Sequence, residues 1–357
     1  MRAAVAEGVG RPLEIEDLRI DSLAPGDVIV DLDASGLCHS DLNPLEGRSP
    51  APGWPLVTGH EGTGTVLEVG AHVDRLRVGD RVIGTFVPAC GDCRWCLDGQ
   101  THLCQAFYAA PTSRLSRANG TPVFAWTGLG AFAEQMVVSQ RSLVKVETDL
   151  PPEQVALIGC GVTTGVCAVL NTARVTPGSS VVVMGAGGVG QSVVQGARIS
   201  GASVIVAVDP VESKRAVALQ LGATHAFAPD EAEERVKDLT AGDGVDYAFE
   251  VAGRADTAGS GFAMLRRGAT LTLVGATKAG DKPPWDLKEW MISEKRVIGS
   301  LYGSAQSQRD FPRLLRLAEA GQLRLKEMVS RLLTLDEIND GLAAIDRGEV
   351  IRSVIVF

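Results

Sequence analysis

Long hydrophobic runs are missing from this sequence. No window of about 18 apolar residues appears, so no membrane-spanning helix is expected. An excess of basic charge is missing too. The 357 residues carry 34 Lys and Arg against 43 Asp and Glu, a net charge of −9, which argues against nucleic acid and anionic membrane as partners. The opening stretch MRAAVAEGVGRPLEIEDL carries acids early and lacks a long apolar core, so no signal peptide is expected and a cytoplasmic location is inferred. No internal repeat and no low-complexity segment is visible. Cysteine is scarce but unevenly spread, with four of the seven inside residues 90–104. Thiols stay reduced in the cytoplasm, and an odd number would leave one over in a full disulfide framework, so clustered cysteines there point to metal.

That cluster reads CGDCRWCLDGQTHLC, with the spacing C-x2-C-x2-C-x7-C. Cys90, Cys93, Cys96 and Cys104 would fill four tetrahedral positions and leave none open, the pattern of a structural zinc site. The rival is an iron–sulfur cluster, whose common bacterial run has its fourth cysteine sooner and a proline after it. Here the last gap is seven residues and Gln105 follows.

The length exceeds one ordinary core, so two domains are expected. The first 150 residues hold short β-type runs such as DVIVDLDASG, GTGTVLEVG, RVGDRVIGTFV and AFAEQMVVS, and the 41 glycines of the whole chain supply many turns. From about 175 the pattern changes. SSVVVMG, ASVIVAVDP, THAFAP, GVDYAFEVAG, ATLTLVGA and RVIGSLYG are six strand candidates with helical stretches between them. This alternation predicts an α/β unit with a doubly wound parallel sheet. The tail reads as two helices and a last strand, RSVIVF.

Within VVVMGAGGVGQ, Gly185, Gly187 and Gly190 form G-x-G-x-x-G, with Gly188 and Val189 inside it. The motif follows a β-branched strand, opens a helix, and has Asp209 nineteen residues beyond Gly190 at the end of the next strand. That is the context a dinucleotide fingerprint requires. The glycines permit the tight turn, close approach of a pyrophosphate and close helix–strand packing, and the helix N-terminus faces the phosphate charge. Asp209 would accept a hydrogen bond from the adenosine ribose and repel a 2′-phosphate, which favours NAD over NADP.

Cys38 (SGLCHSDLN), His60 (VTGHEGTGTV) and Cys160 (LIGCGVTTG) lie in glycine-rich, loop-like stretches. Two thiolates and one imidazole make a three-ligand zinc set with an open fourth position, the mark of a catalytic site. They are far apart in sequence, so spacing alone leaves open a buried cysteine and a core histidine.

Taken together, GLCHSDL, GHEGTGTVLEVG, GDRVIG, the four-cysteine lobe, GCGVTTG, GAGGVGQ and the final IRSVIVF resemble, in order, the zinc-dependent alcohol dehydrogenases of the medium-chain dehydrogenase/reductase family. GCGVTTGVCAVLNTARV is most similar to the class III-like branch, which oxidises thiol adducts. The resemblance implies a mainly β, GroES-like catalytic domain (1–161 and 305–357) and a Rossmann domain (162–304). It implies Cys38, His60 and Cys160 as catalytic zinc ligands, with Glu61 able to approach the metal. It also implies Asp41 as a partner of the far His60 nitrogen, Ser40 as the group taking the substrate proton, and Phe86 as a pocket wall. Toward the cofactor it implies His39 and Arg352 at the pyrophosphate, Thr164 against the nicotinamide and Lys214 by the adenosine ribose. The expected cofactors are NAD and two zinc ions per chain. The expected partner is a small alcohol or aldehyde, in a homodimer or homotetramer.

From the residues alone, Ser40 and Asp41 could equally cap a helix, Phe86 could be core, and Lys214 a solvated helix charge. Cys167 is read as a buried packing thiol. Asn43 stands where much of the family ends its proton relay with histidine, and an amide does not titrate near neutral pH. The alternatives to alcohol oxidation are oxidation of a formaldehyde–thiol adduct, reduction of a C=N or C=C bond, or a zinc- and nucleotide-binding redox sensor without turnover.

Overall fold

In the computed structural model, which describes residues 1–21, 23–108, 113–278 and 280–357, the chain divides into two compact units. The first comprises Met1–Cys160, Gln306–Gly321 and Val329–Phe357; the second comprises Gly161–Ala305 and Gln322–Met328. Part of the loop 105–130, expected to shape a substrate pocket, lies outside the described residues. Among the described residues no single helix is long and apolar enough to cross a membrane.

The first unit is built around β1 (Asp27–Leu37), an eleven-residue strand buried along most of its length. It pairs antiparallel with β2 (Glu61–Val69), and β2 pairs with β3 (Arg81–Gly84). β4 (Gln135–Ser139) lies antiparallel on β1, and β5 (Leu143–Lys145) extends the sheet beyond β3. Two tail strands, Val329–Leu333 and Arg352–Val356, complete it, the latter antiparallel to β1 at Leu37↔Ser353. Val28, Val30, Leu32, Val66, Val82 and Met136 close one apolar cluster of this sheet. The register places the C-terminal end of β1 beside the start of β2, with Gly36 opposite Glu61. Those two strand ends carry the site described below.

The second unit contains the six expected parallel strands: β6 (Ser180–Met184), β7 (Val204–Val208), β8 (His225–Phe227), β9 (Val245–Glu250), β10 (Leu265–Leu273) and β11 (Arg296–Gly299). Their order is β8-β7-β6-β9-β10-β11. The chain therefore winds one way from β6 and then the other way from β9, so the switch point lies between β6 and β9. The central runs Val181–Val183 and Ile205–Ala207 are apolar without alternation because helices cover both faces of such a sheet. α1 (Gly188–Ile199) follows β6, and α2 (Glu212–Leu221) follows β7. Gln322–Met328 was expected in the first domain but packs with the second unit. The Gln195 side chain accepts from the Arg324 N–H at 2.7 Å and donates to the Arg324 carbonyl at 3.3 Å.

Candidate active site and metal centres

Cys38 follows directly on β1 and opens a single 3-10 turn, His39–Asp41. The fully buried Asp41 carboxylate folds back to hold three donors. Its Oδ2 accepts the Cys38 N–H at 2.9 Å, and its Oδ1 accepts the Gly59 N–H at 3.1 Å and His60 Nδ1 at 2.7 Å. Asp41 is thus more than a helix cap. With Nδ1 engaged by a carboxylate, Nε2 is the His60 nitrogen left to serve as a ligand. Gly59 is required for this turn. It has φ +92, and a Cβ there would lie 2.6 Å from the Phe132 nitrogen.

The ligand atoms of Cys38, His60, Glu61 and Cys160 all lie within 4.8 Å of one another, and all four residues are buried. Cys160 arrives from the end of the 3-10 turn Ala156–Gly159. Glu61 is paired with the buried Arg352, whose Nη1 also donates to the Leu37 carbonyl at 3.1 Å. Gly36 leaves the room for this, since a Cβ there would overlap the Glu61 carboxylate. The Cys160 thiol beside it holds the Cys38 pKa well below its ordinary value, and Cys160 is correspondingly pushed well up. Burial pushes Glu61 up to about 7 despite the opposing pull of Arg352. Two thiols, an oriented imidazole and a nearby carboxylate form a donor set matched to a zinc ion.

The second cluster is local. The Cys93 N–H donates to Cys90 Sγ and the Cys90 N–H to Cys104 Sγ, each at 3.3 Å. The Cys90–Cys96 and Cys93–Cys104 sulfurs are each 3.9 Å apart, and none of the four forms a disulfide. A tetrahedron with metal–sulfur bonds of about 2.3 Å has edges of about 3.8 Å, so this set fits a closed zinc site.

In the second unit Gly185 has φ +104, and a Cβ on Gly190 would lie 1.9 Å from the Gly185 oxygen, so neither position admits a side chain. A Cβ on Gly187, by contrast, would meet nothing within 4 Å, which leaves that face open for a phosphate. Gly188 and Val189 begin α1. Asp209 Oδ2 accepts the Ala186 N–H and Oδ1 the Val211 N–H, each at 2.8 Å, so the carboxylate is fixed to the glycine turn with lone pairs still free.

Two family descriptions match this sequence: "Alcohol dehydrogenase GroES-like domain" over residues 24–148 and "Zinc-binding dehydrogenase" over residues 188–320. The chain is 39% identical to the NDMA-dependent alcohol dehydrogenase of Amycolatopsis methanolica, across 99% of this chain and 98% of that protein. It is 35% identical to the S-(hydroxymethyl)glutathione dehydrogenase of Paracoccus denitrificans, across 100% and 99%. Its fold matches the crystal structure of benzyl alcohol dehydrogenase from Acinetobacter calcoaceticus with a TM-score of 0.92 at 32% identity, covering 100% of this chain and 99% of that one. The chain belongs to the zinc-dependent alcohol dehydrogenases of the medium-chain dehydrogenase/reductase family.

The remaining expected residues of this alcohol dehydrogenase fall as follows. Ser40 is half-buried and His39 exposed on the turn after Cys38, and Asn43 is half-buried just beyond it. Phe86 is half-buried with its ring edge-on to His60 at 5.5 Å. Thr164 and Lys214 are half-buried in the second unit. Cys167 is buried, against Gly303, where a Cβ would come within 2.7 Å of its own. Arg352, expected at a pyrophosphate, is 4% exposed and engaged with Glu61 and Leu37.

Two residues were missed. Trp126 stands edge-on to His60 at 5.3 Å, on a turn where Thr127 adopts φ +55. Gln191 donates through Nε2 to the Ala186 and Lys214 carbonyls, each at 2.9 Å, tying the glycine turn to α2. Gln191 had a signal, a polar residue right after the third glycine. Trp126 had none beyond its being one of five tryptophans.

Proposed function

We propose that this dehydrogenase holds a catalytic zinc ion on Cys38, His60 and Cys160 and a structural one on Cys90, Cys93, Cys96 and Cys104, and that it oxidises alcohols with NAD. The single observation that carries the reading is the buried meeting of two thiols and an oriented imidazole from three distant stretches. Zinc bound there supplies Lewis acidity toward an alcohol or carbonyl oxygen, and NAD supplies the hydride acceptor.

The chain's own residues do the rest. Asp41 fixes the His60 tautomer. Ser40 takes the proton leaving the alcohol hydroxyl. Asn43 cannot receive that proton near neutral pH, so it passes onward through other groups. Phe86 and Trp126 wall the space beside His60 and exclude water. Glu61 stands by for ligand exchange at the metal, and Arg352 balances its charge rather than meeting the pyrophosphate. His39, exposed, is left as the basic group for that task.

On the second unit, the Gly185–Gly190 turn cradles the pyrophosphate. Asp209 accepts from the ribose and disfavours a 2′-phosphate, with Lys214 nearby and Thr164 against the nicotinamide. The finer reading of assembly is a homodimer or homotetramer joined through β11, the edge strand of its sheet. Supporting this, Leu287, Met291, Ile292 and Leu301, on either side of it in sequence, are exposed apolar side chains. Seven free thiols suit the reducing cytoplasm.

The test is a panel of primary and secondary alcohols followed by NADH absorbance, on protein with measured zinc. About two zinc ions per chain and NAD-linked turnover are expected. Turnover of formaldehyde only when glutathione or mycothiol is added would instead support a thiol adduct as substrate, the activity named for the Paracoccus relative.

A further inference from the structure

Glu250 ends β9, at the switch point of the parallel sheet, and is fully buried. One oxygen of its carboxylate gathers four donors. Oε1 accepts the N–H of Ala252 at 2.9 Å, of Gly253 at 2.8 Å and of Arg254 at 3.4 Å, and the Thr257 hydroxyl at 2.8 Å. The other oxygen, Oε2, finds no hydrogen-bond donor among the described residues. A buried acceptor without a donor costs free energy, so the arrangement needs a reason.

The surroundings supply one. The carboxylate curls the segment Val251–Arg254 back over the strand end. Gly253 takes φ +71 there, and a Cβ on it would lie 2.6 Å from the Ala276 oxygen. The Glu250 carbonyl meanwhile accepts the N–H of Val274 at 2.8 Å and of Gly275 at 3.0 Å. A Cβ on Gly275 would lie 2.2 Å from the Gly253 nitrogen and 2.9 Å from Glu250 Oε2. Two loops, one after β9 and one after β10, are therefore packed backbone to backbone around a single carboxylate.

The first of these loops also backs the fingerprint turn. A Cβ on Gly185 would sit 3.3 Å from Ala252 and from Val251, and one on Gly190 would sit 3.2 Å from Val251. The crevice outside the carboxyl ends of β6 and β9 is where an open parallel sheet binds its ligand. Its two walls are the Gly185–Gly190 turn and the Val251–Arg254 loop.

We infer that Glu250 is a positioning residue for the dinucleotide, holding the Val251–Arg254 loop as the second wall of the crevice against the glycine turn. This rests on the reading that the second unit binds NAD. The side chain is buried under its own loop and does not touch the cofactor. Its effect is preorganisation, so it governs cofactor affinity more than the turnover of a filled site.

The experiment is NADH titration by fluorescence of the zinc-loaded protein, wild type against Glu250→Gln, with amide hydrogen exchange of residues 251–254 and melting temperature measured alongside. Glutamine keeps the shape but offers a neutral acceptor with weaker bonds. Expected are wild-type binding, a Kd for NADH raised roughly fivefold or more in the variant, faster exchange at Ala252 and Gly253, and kcat at saturating NAD within about twofold. Thr257→Val, which removes one donor only, should move Kd the same way by less. A folded Glu250→Gln protein that binds NADH as tightly as wild type, with unchanged exchange, overturns the inference while leaving the NAD reading intact. Wild-type protein that binds no NADH overturns both.

Discussion

The two cysteine-bearing clusters differ in almost every physical respect. One is local: fifteen residues bring four sulfurs to tetrahedral spacing, largely through bonds of their own backbone N–H groups. The other gathers residues 38, 60, 61 and 160 across more than a hundred positions, and it is buried throughout. With a zinc ion bound as proposed, the local set would be saturated and leave no place for a substrate. The scattered set has two thiols and an imidazole, the three proposed ligands, with a carboxylate paired to Arg352 and two aromatic rings beside the imidazole. What separates them is how much of the fold each consumes. A closed site needs only a loop, whereas an open one must be held rigid from outside, here by Asp41, Gly36, Gly59 and Arg352.

Substitutions should separate the two. The largest effect is expected from Cys160→Ala. NADH-linked activity should fall by about a thousandfold or more, and zinc content should drop by one equivalent with the fold retained. Full activity in that protein would end the catalytic assignment. Next is Asp41→Asn, which removes one acceptor from the group orienting Cys38 and His60. Activity or zinc affinity at the open site should fall about 10- to 100-fold, as for other partners of metal ligands. Cys104→Ser comes third. It too should cost one zinc, but its signature should be a melting temperature lower by several degrees, with activity per folded chain changed by about threefold at most. The smallest effect is expected from Trp126→Leu. Zinc content should hold, while kcat/KM for a bulky primary alcohol relative to ethanol should shift by about tenfold. An unchanged ratio would mean that Trp126 packs behind His60 rather than facing substrate.

The parallel sheet was legible because its central strands, Ser180–Met184 and Val204–Val208, are near-continuous β-branched or apolar runs, and the glycine turn because its spacing is a backbone necessity. Val329–Leu333 was not read as a strand. Its sequence VSRLL lacks clear alternation, and only its parallel pairing with Arg352–Val356 makes it one. The residues of the open cluster were named from motifs, as were Asp41 and Phe86 beside them, but two further contacts around them were not. The Arg352–Glu61 pair spans 291 positions, and nothing local encodes it. Trp126 likewise reaches His60 only through the tertiary path of its turn. Asp41 was expected as the partner of His60, but its hold on the Cys38 and Gly59 N–H groups appears only once Gly59 is folded against it.

The claim that one site is open and the other closed can be tested directly by cobalt substitution. Cobalt(II) is loaded into Cys104→Ser, which keeps the Cys38–His60–Cys160 site, and into Cys160→Ala, which keeps the four-cysteine site. The visible d–d bands are then recorded as imidazole is added. The bands should shift in Cys104→Ser, where an outside ligand can enter, and stay fixed in Cys160→Ala. A shift in Cys160→Ala with none in Cys104→Ser would contradict it.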